Sequence, residues 1–306
     1  ILRGVGDSIS ALVFLLIATV INIVLDVWFV AGLHMGVEGV ALATVIAQIT
    51  SSVLCLWKLC RMSHLFDMGL YYLRLNRKHS VTMIRLGLPS GLTQAIFSMA
   101  LVVVQSLTNS FGEMVIAANV ILMRVDGFAM MPNFSFGTAM TTYAGQNVGA
   151  NRYDRVAKGA RQGALIAAGT SAVITLLILL FGKPLMGIFT DTKALVNLSY
   201  QLMMILALGY IAMGVTQSLS GVMRGAGDTM TPMWISIVTT VIIRIPIAYG
   251  ISYLTRTPQL PHGHYTCVWI SLLISWILGA LLTTFFYRRG KWKTKGLQNQ
   301  ASEATS

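Results

Sequence analysis

Apolar residues along this chain gather into eight long runs separated by short polar stretches. The runs are Ser10–Val30, Val37–Trp57, Pro89–Phe111, Val115–Val148, Val156–Phe181, Ala194–Val222, Thr231–Leu254 and Thr266–Tyr287. Each can cross about 30 Å of hydrocarbon at a helical rise of about 1.5 Å per residue. The fourth is long enough to project past the bilayer. Alternation of apolar and polar positions with a period of two, the mark of a membrane β-barrel, is absent from the runs. Backbone N–H and C=O groups in hydrocarbon must be satisfied within their own segment, so helices follow. The pattern predicts an all-α polytopic membrane protein with eight transmembrane helices.

Composition supports this and removes other classes. The 306 residues are 55% hydrophobic and only 10% charged, with a mean hydropathy of +0.72. Soluble domains carry about 25% charged residues, so a water-soluble fold, a disordered chain and a collagen-like repeat are all excluded. The formal charge of +12 would suggest a nucleic-acid partner in a soluble chain, but its placement argues otherwise. Arg3, the segments Lys58–Arg85 and Arg152–Arg161, Arg224 and the tail from Arg288 hold seventeen of the 22 basic residues. Loops on the other side hold only Lys183, Lys193 and Arg256, while Arg124 and Arg244 lie inside runs. By the positive-inside rule both chain ends are cytoplasmic, the span count is even and no nucleic-acid partner is needed. The membrane is expected to be a bacterial inner membrane, and the complete protein a monomer.

Other chemistry is sparse. Cys55, Cys60 and Cys267 form no disulfide framework or metal-binding spacing, and His262-x-His264 is weak evidence for a metal. No metal or cofactor is therefore expected. With no His-Glu-x-x-His, Gly-x-Ser-x-Gly or phosphate loop, neither is an enzyme. The connection Arg61–Leu86 mixes basic residues with Leu65, Phe66, Leu70, Tyr71, Tyr72 and Leu75. It reads either as a solvated linker or as an amphipathic segment on the cytoplasmic leaflet.

One motif occurs twice. Leu-Arg-Gly-Val-Gly-Asp-Ser at Leu2–Ser8 returns as Met-Arg-Gly-Ala-Gly-Asp-Thr at Met223–Thr229, and at the same offset Thr19-Val20-Ile21 matches Thr240-Val241-Ile242. Both copies enter a span from the same side, as in transporters built from parallel repeats. Arg3, Gly4, Gly6 and Asp7, with Arg224, Gly225, Gly227 and Asp228, read as loop-shaping residues. The glycines allow a tight reversal, and Ser8 and Thr229 after the aspartates are suited to capping the next helix.

Ionisable and amide side chains inside spans mark cavities or partners. Asn22 and Asp26 are four apart and share a helix face, and Thr44 in the next span can add a hydroxyl. Carboxylate, amide and hydroxyl oxygens together suit a hard cation such as sodium, or a protonatable acid. The repeat places Ile243 and Ile247 opposite Asn22 and Asp26, so the second copy lacks this pair. Arg124 and Asp126 are two apart and point to different faces. Asp126 either binds a cationic substrate or proton, or joins a structural network with Arg244 or Asn119. Gln105, Asn109 and Arg124 are further substrate or network candidates. Pro132 and Pro246 interrupt backbone bonding and are candidate hinges. Met99, Met123, Met130, Met131 and Met140 suit promiscuous binding of flat apolar compounds or serve as filling.

Several of these stretches resemble the multidrug and toxic compound extrusion (MATE) family. They are the doubled Arg-Gly-x-Gly-Asp, Leu86-Gly-Leu-Pro-Ser-Gly91 and Tyr143-Ala-Gly-Gln-Asn-Val-Gly-Ala-Asn-Arg152. Arg124-Val-Asp-Gly-Phe-Ala-Met-Met-Pro132 is similar to the branch named for DNA-damage-inducible members. The resemblance implies twelve helices in two six-helix lobes, with this chain supplying helices five to twelve and lacking one to four at its amino terminus. Residues 1–60 would be the end of the first lobe, 61–87 the inter-lobe linker, 88–288 the second lobe and 289–306 a basic tail. It also implies that Asn22, Asp26 and Thr44 occupy an amino-terminal-lobe cation site, whose further acid on the first helix is missing. Acids that another branch places on the seventh and tenth helices are absent: Pro89–Phe111 offers Gln94, Gln105 and Asn109 instead. The implied function is multidrug efflux, exporting amphipathic or cationic small molecules across the bilayer in exchange for sodium ions or protons. Alternatives are a lipid-linked saccharide flippase of the same superfamily and a non-transporting receptor or structural protein.

Overall fold

The computed structural model describes residues 2–62 and 77–293. Helix α1 (Ser8–Val27) continues into a π-helical turn at Trp28–Gly32, and a short turn leads to α2 (Val37–Arg61). Next come α3 (Arg77–Asn109), α4 (Glu113–Gly149), α5 (Tyr153–Gly187) and α6 (Lys193–Gly225). Then α7 (Met230–Ile237), a π-helical stretch at Val238–Ile243 and α8 (Arg244–Leu254) follow one another without a break, and α9 (Cys267–Arg288) follows. Among the described residues eight rods are long and apolar enough to cross a membrane, and they match the eight expected runs.

The third run gives the largest difference. Helix α3 already includes Arg77, well before Pro89, so residues 77–87 of the expected linker are helical. Run length measures only the part of a helix that needs apolar solvent, and a helix carries its polar end onward until its hydrogen-bonding is interrupted. Residues 63–76, where the amphipathic segment was expected, lie outside the described residues, as does the tail from 294 onward.

The chain divides into two compact units, residues 1–80 and 81–306. In the first, α1 packs on α2. Buried Gly39, Ala43 and Ala47 on α2 are spaced by four, giving a smooth stripe on one helix face. Small residues matter here because lipid supplies little hydrophobic drive between helices, leaving close van der Waals approach to hold them. Leu2, Phe14 and Leu59 form a small apolar cluster at one end of this pair.

In the second unit α6 is central, packing against α4, α5 and α9. Its buried face carries Leu202, Met203, Leu206, Tyr210, Val222 and Met223. Buried hydroxyls tie the helices across their interfaces. Ser199 donates to the Ala118 carbonyl at 3.1 Å, Thr175 to Ala207 at 3.0 Å, and Ser171 to the Asn133 side chain at 2.7 Å. At the end of α6, a Cβ on Gly225 would collide with the Thr141 carbonyl oxygen of α4, so only glycine fits that crossing. Large apolar side chains such as Leu16, Ile23, Val102, Leu180 and Leu208 stand outward, as a lipid-facing surface requires.

Candidate functional site

The doubled motif folds twice into the same turn. Gly6 and Gly227 have φ of 97° and 87°, a region open to glycine and costly for other residues. The Asp7 amide donates to the Leu2 carbonyl at 3.0 Å, and the Asp228 amide to Met223 at 2.9 Å. The capping role falls to the aspartates rather than to Ser8 and Thr229. Asp7 accepts from the Ser10 amide at 3.0 Å; Asp228 accepts from the Thr231 amide at 3.2 Å and the Thr231 hydroxyl at 2.7 Å. The turn aims each carboxylate at the first unsatisfied amides of the following helix; Ser8 is already inside its helix, and Thr229 stands at the start of α7 without a side-chain capping bond. Arg3 and Gly4 lie in the first turn, exposed. Lys58 of α2 reaches Asp7 at 3.5 Å. The Ser10 amide, then the Ser10 hydroxyl and Lys58, hold the Asp7 carboxyl below its ordinary range.

Packing of α1 on α2 brings two of the three cation-site candidates together. The Asn22 amide donates to the Thr44 hydroxyl at 3.5 Å, while that hydroxyl donates to the Val40 carbonyl at 2.9 Å. Asp26 sits one turn further along and joins neither. Its Oδ1 is shielded from solvent and has no hydrogen-bond partner among the described residues. Acceptors without donors leave room for a proton or a cation at this acid.

Among the cavities of the second unit, two that carry charged side chains share a wall. The larger, about 330 Å³, is lined by Asp126, Gln105, Asn119 and Arg244, by Met123, Met130 and Met131, and by Phe97, Phe134, Met213, Trp269 and Trp276. Tyr210 donates to Asp126 at 2.8 Å. Gln105 donates to Asn109 at 2.8 Å, and Asn119 donates to Gln105 at 3.4 Å, forming a short amide ladder along the α3–α4 contact. Arg124, a substrate or network candidate from its place inside the run, points away from this cavity. It is exposed, with its guanidinium over the Phe189 ring at 5.8 Å. Two residues along a helix turn the side chain by about 200°, so Arg124 and Asp126 cannot share the cavity. Of the candidate methionines, Met99 and Met140 are not among the lining residues of this cavity, and Met140 is packed in a core cluster.

The smaller cavity, about 190 Å³, is lined by Arg224 and Arg244 with Gln94, Thr216, Gln217, Thr239 and Thr240, and by the same Phe97, Phe134, Met213 and Trp276. Arg244 is placed by the π-helical stretch. Its amide donates to the Thr239 carbonyl, five residues back, and that carbonyl also accepts from Ser275 of α9 at 2.9 Å. Pro246 follows the π-helical stretch directly, inside the unbroken helical run from Met230 to Leu254. The irregularity expected at this proline is carried by the π stretch before it. Pro132 lies inside α4, which continues past it. His262 and His264 lie in the loop before α9, where Ser252 bonds the His262 carbonyl and the His264 ring bonds Thr266. No group of three or more metal-ligating side chains occurs among the described residues.

The family model MatE matches residues 89–250, more than half of the sequence. The chain belongs to the MatE family. Probable multidrug resistance protein YoeA of Bacillus subtilis is 29% identical, over 96% of this chain and 64% of its own length. Probable multidrug resistance protein NorM of Thermotoga maritima is 24% identical, over 97% of this chain and 63% of its own. A crystal structure of a MATE protein in the bent conformation superposes with a TM-score of 0.85 at 22% identity. It covers 98% of this chain and 65% of that one. The MatE chain thus spans just under two thirds of the length of these relatives.

Sequence reasoning missed Tyr210, the partner of Asp126, because the two are 84 positions apart. It also missed the cavity role of Arg224 and the hydroxyl stripe Ser236, Thr239 and Thr240 leading to Arg244. That stripe has helical spacing and was visible in principle. The π stretch changes which face each residue presents, and no residue type in it announces the change.

Proposed function

We propose that this chain serves secondary active export, expelling amphipathic, often cationic, organic compounds in exchange for sodium ions or protons. Asp26 is the ion-binding acid, with Asn22 and Thr44 as its neighbouring oxygen donors. The observation that carries this reading is the shielded, partnerless Asp26 oxygen one turn from the Asn22–Thr44 bond. Intramembrane acids are expensive and persist where they act on ions or substrates. The Asp126 cavity supplies the other half of the cycle: a carboxylate for a cationic group, with methionine and aromatic walls for an apolar body. Exchange follows if ion occupancy at Asp26 and substrate occupancy favour different conformations. The multidrug resistance names of YoeA and NorM agree with this reading. The working state is a monomer in a bacterial inner membrane with cytoplasmic chain ends.

The test is Asp26→Asn in the intact protein, assayed by gradient-driven efflux of a fluorescent lipophilic cation from vesicles. Driven efflux is expected to vanish while membrane insertion and thermal unfolding stay unchanged. Wild-type efflux in the variant would overturn the assignment.

A further inference from the structure

We propose that the cavity between Arg224 and Arg244 receives the anionic end of an amphipathic organic anion, a carboxylate or phosphate on an apolar body. Two arginines line a space of about 190 Å³, and no aspartate or glutamate is among its lining residues. Arg244 is only 4% exposed, and its Nε is buried without a hydrogen-bond partner. Among the described residues no carboxylate lies within 4.0 Å of either guanidinium.

A purely structural arginine at this depth would spend its donors on neighbouring carbonyls or carboxylates; Asp126, which shares the larger cavity with Arg244 and attracts its charge, is hydrogen-bonded to Tyr210 and makes no bond to the guanidinium. Here the π stretch fixes the Arg244 backbone, and Ser275 secures that stretch from α9. The guanidinium therefore sits at the cavity wall with donor capacity unused. A fork of N–H groups matches a carboxylate or phosphate edge, and Gln94, Thr216, Gln217 and Thr240 add neutral polar groups around it.

Orientation and body follow from the shared wall. Phe97, Phe134, Met213 and Trp276 border both cavities, so an anion held at Arg244 has an aromatic surface for its apolar part. Asp126 lies in the larger cavity and repels a negative charge there. The anionic end therefore goes toward Arg224 and the body toward the methionines. This deepens the export reading by adding a substrate class, and it rests on that reading only for the direction of transport.

The test measures binding rather than transport. Binding of 2-naphthoate to the detergent-solubilised protein is followed by ligand fluorescence, with uncharged 2-naphthamide as the matched probe. Naphthoate is expected to bind at least about tenfold tighter, the value of one charge-assisted hydrogen bond. Arg244→Gln and Arg224→Gln should each remove most of that preference, and Arg244→Lys should restore part of it. Equal binding of the two probes, or an undiminished preference in both glutamine variants, would overturn the proposal. If Arg244→Gln fails to fold, Arg224→Gln decides alone. Dihexanoyl phosphatidate, a phosphate on an apolar body, is expected to compete with naphthoate, and a lack of competition would overturn the extension of the site to phosphates. Equal probe binding alongside Asp26-dependent efflux would remove the anion site alone. A retained preference with Asp26-independent efflux would remove the export reading alone.

Discussion

Leu2–Ser8 and Met223–Thr229 reverse the chain with the same pair of amide–carbonyl bonds, a glycine at positive φ and an aspartate over the next helix. Beyond the turn the two copies part. The first leads to Asn22 and Asp26; at the same offset the second has Ile243 and Ile247, and it carries Arg244 where the first has Ile23. One helix therefore presents an acid and the other a base, opposite signs from one ancestral-looking pattern. Turn geometry is dictated by backbone torsions and local hydrogen bonds, so it tolerates little change. A position four turns into a lipid-embedded helix is constrained by what it faces, and the two copies face different things.

The surroundings of the two turns differ as well, which orders the expected effects of mutation. Gly225→Ala places a methyl against the Thr141 carbonyl and the Ala144 side chain of α4. It is expected to cost about 3 kcal/mol, at the upper end of core overpacking, and to lower the melting temperature in detergent more than any substitution in the first turn. A melt like wild type would mean that α4 and α6 can separate freely there. Asp228 is 2% exposed and Asp7 is not buried. Asp228→Ala should therefore cost about 2 kcal/mol, a buried cap with two bonds, and Asp7→Ala distinctly less. The reverse order in chemical unfolding would contradict the comparison.

The glycines test its symmetric part. Gly6→Ala and Gly227→Ala each force alanine into positive φ, costing about 1 kcal/mol. The two variants should melt alike, and a large gap between them would show that the turns are not equivalent. The smallest effect concerns pH. The Asp7 carboxyl is held below its ordinary range by Ser10 and Lys58, so the folded state favours the charged form. Its contribution is present above the unfolded value of about 3.9 and is lost as pH falls through the lowered folded value. The melting difference between wild type and Asp7→Asn should hold from about pH 6 to pH 4 and shrink below that. A difference unchanged at lower pH would remove the cap's electrostatic role.

Much of this could be read before any coordinates. All eight spans were legible because apolar run length is a local property, and only the polar start of α3 escaped. The pairing of Asn22 with Thr44 was legible in part, since consecutive helices joined by a short turn must lie side by side. Arg124 and Arg244 were not separable by sequence, because both are arginines inside apolar runs. One covers Phe189 on an exposed surface and the other lines two cavities.

The sequence alone determined that the chain is helical, how many times it can cross a membrane, and that two of its turns are copies. These follow from run length, the need to satisfy backbone groups within each span, and the φ that only glycine adopts cheaply. Tertiary structure decided which polar groups meet, Tyr210 with Asp126 and Ser275 with Thr239, and that Arg224 and Arg244 line one cavity. The reason is rotational. Each residue turns a helix by about 100°, and a π-helical stretch resets that count. The face on which a charge emerges is thus set by packing against neighbours distant in sequence.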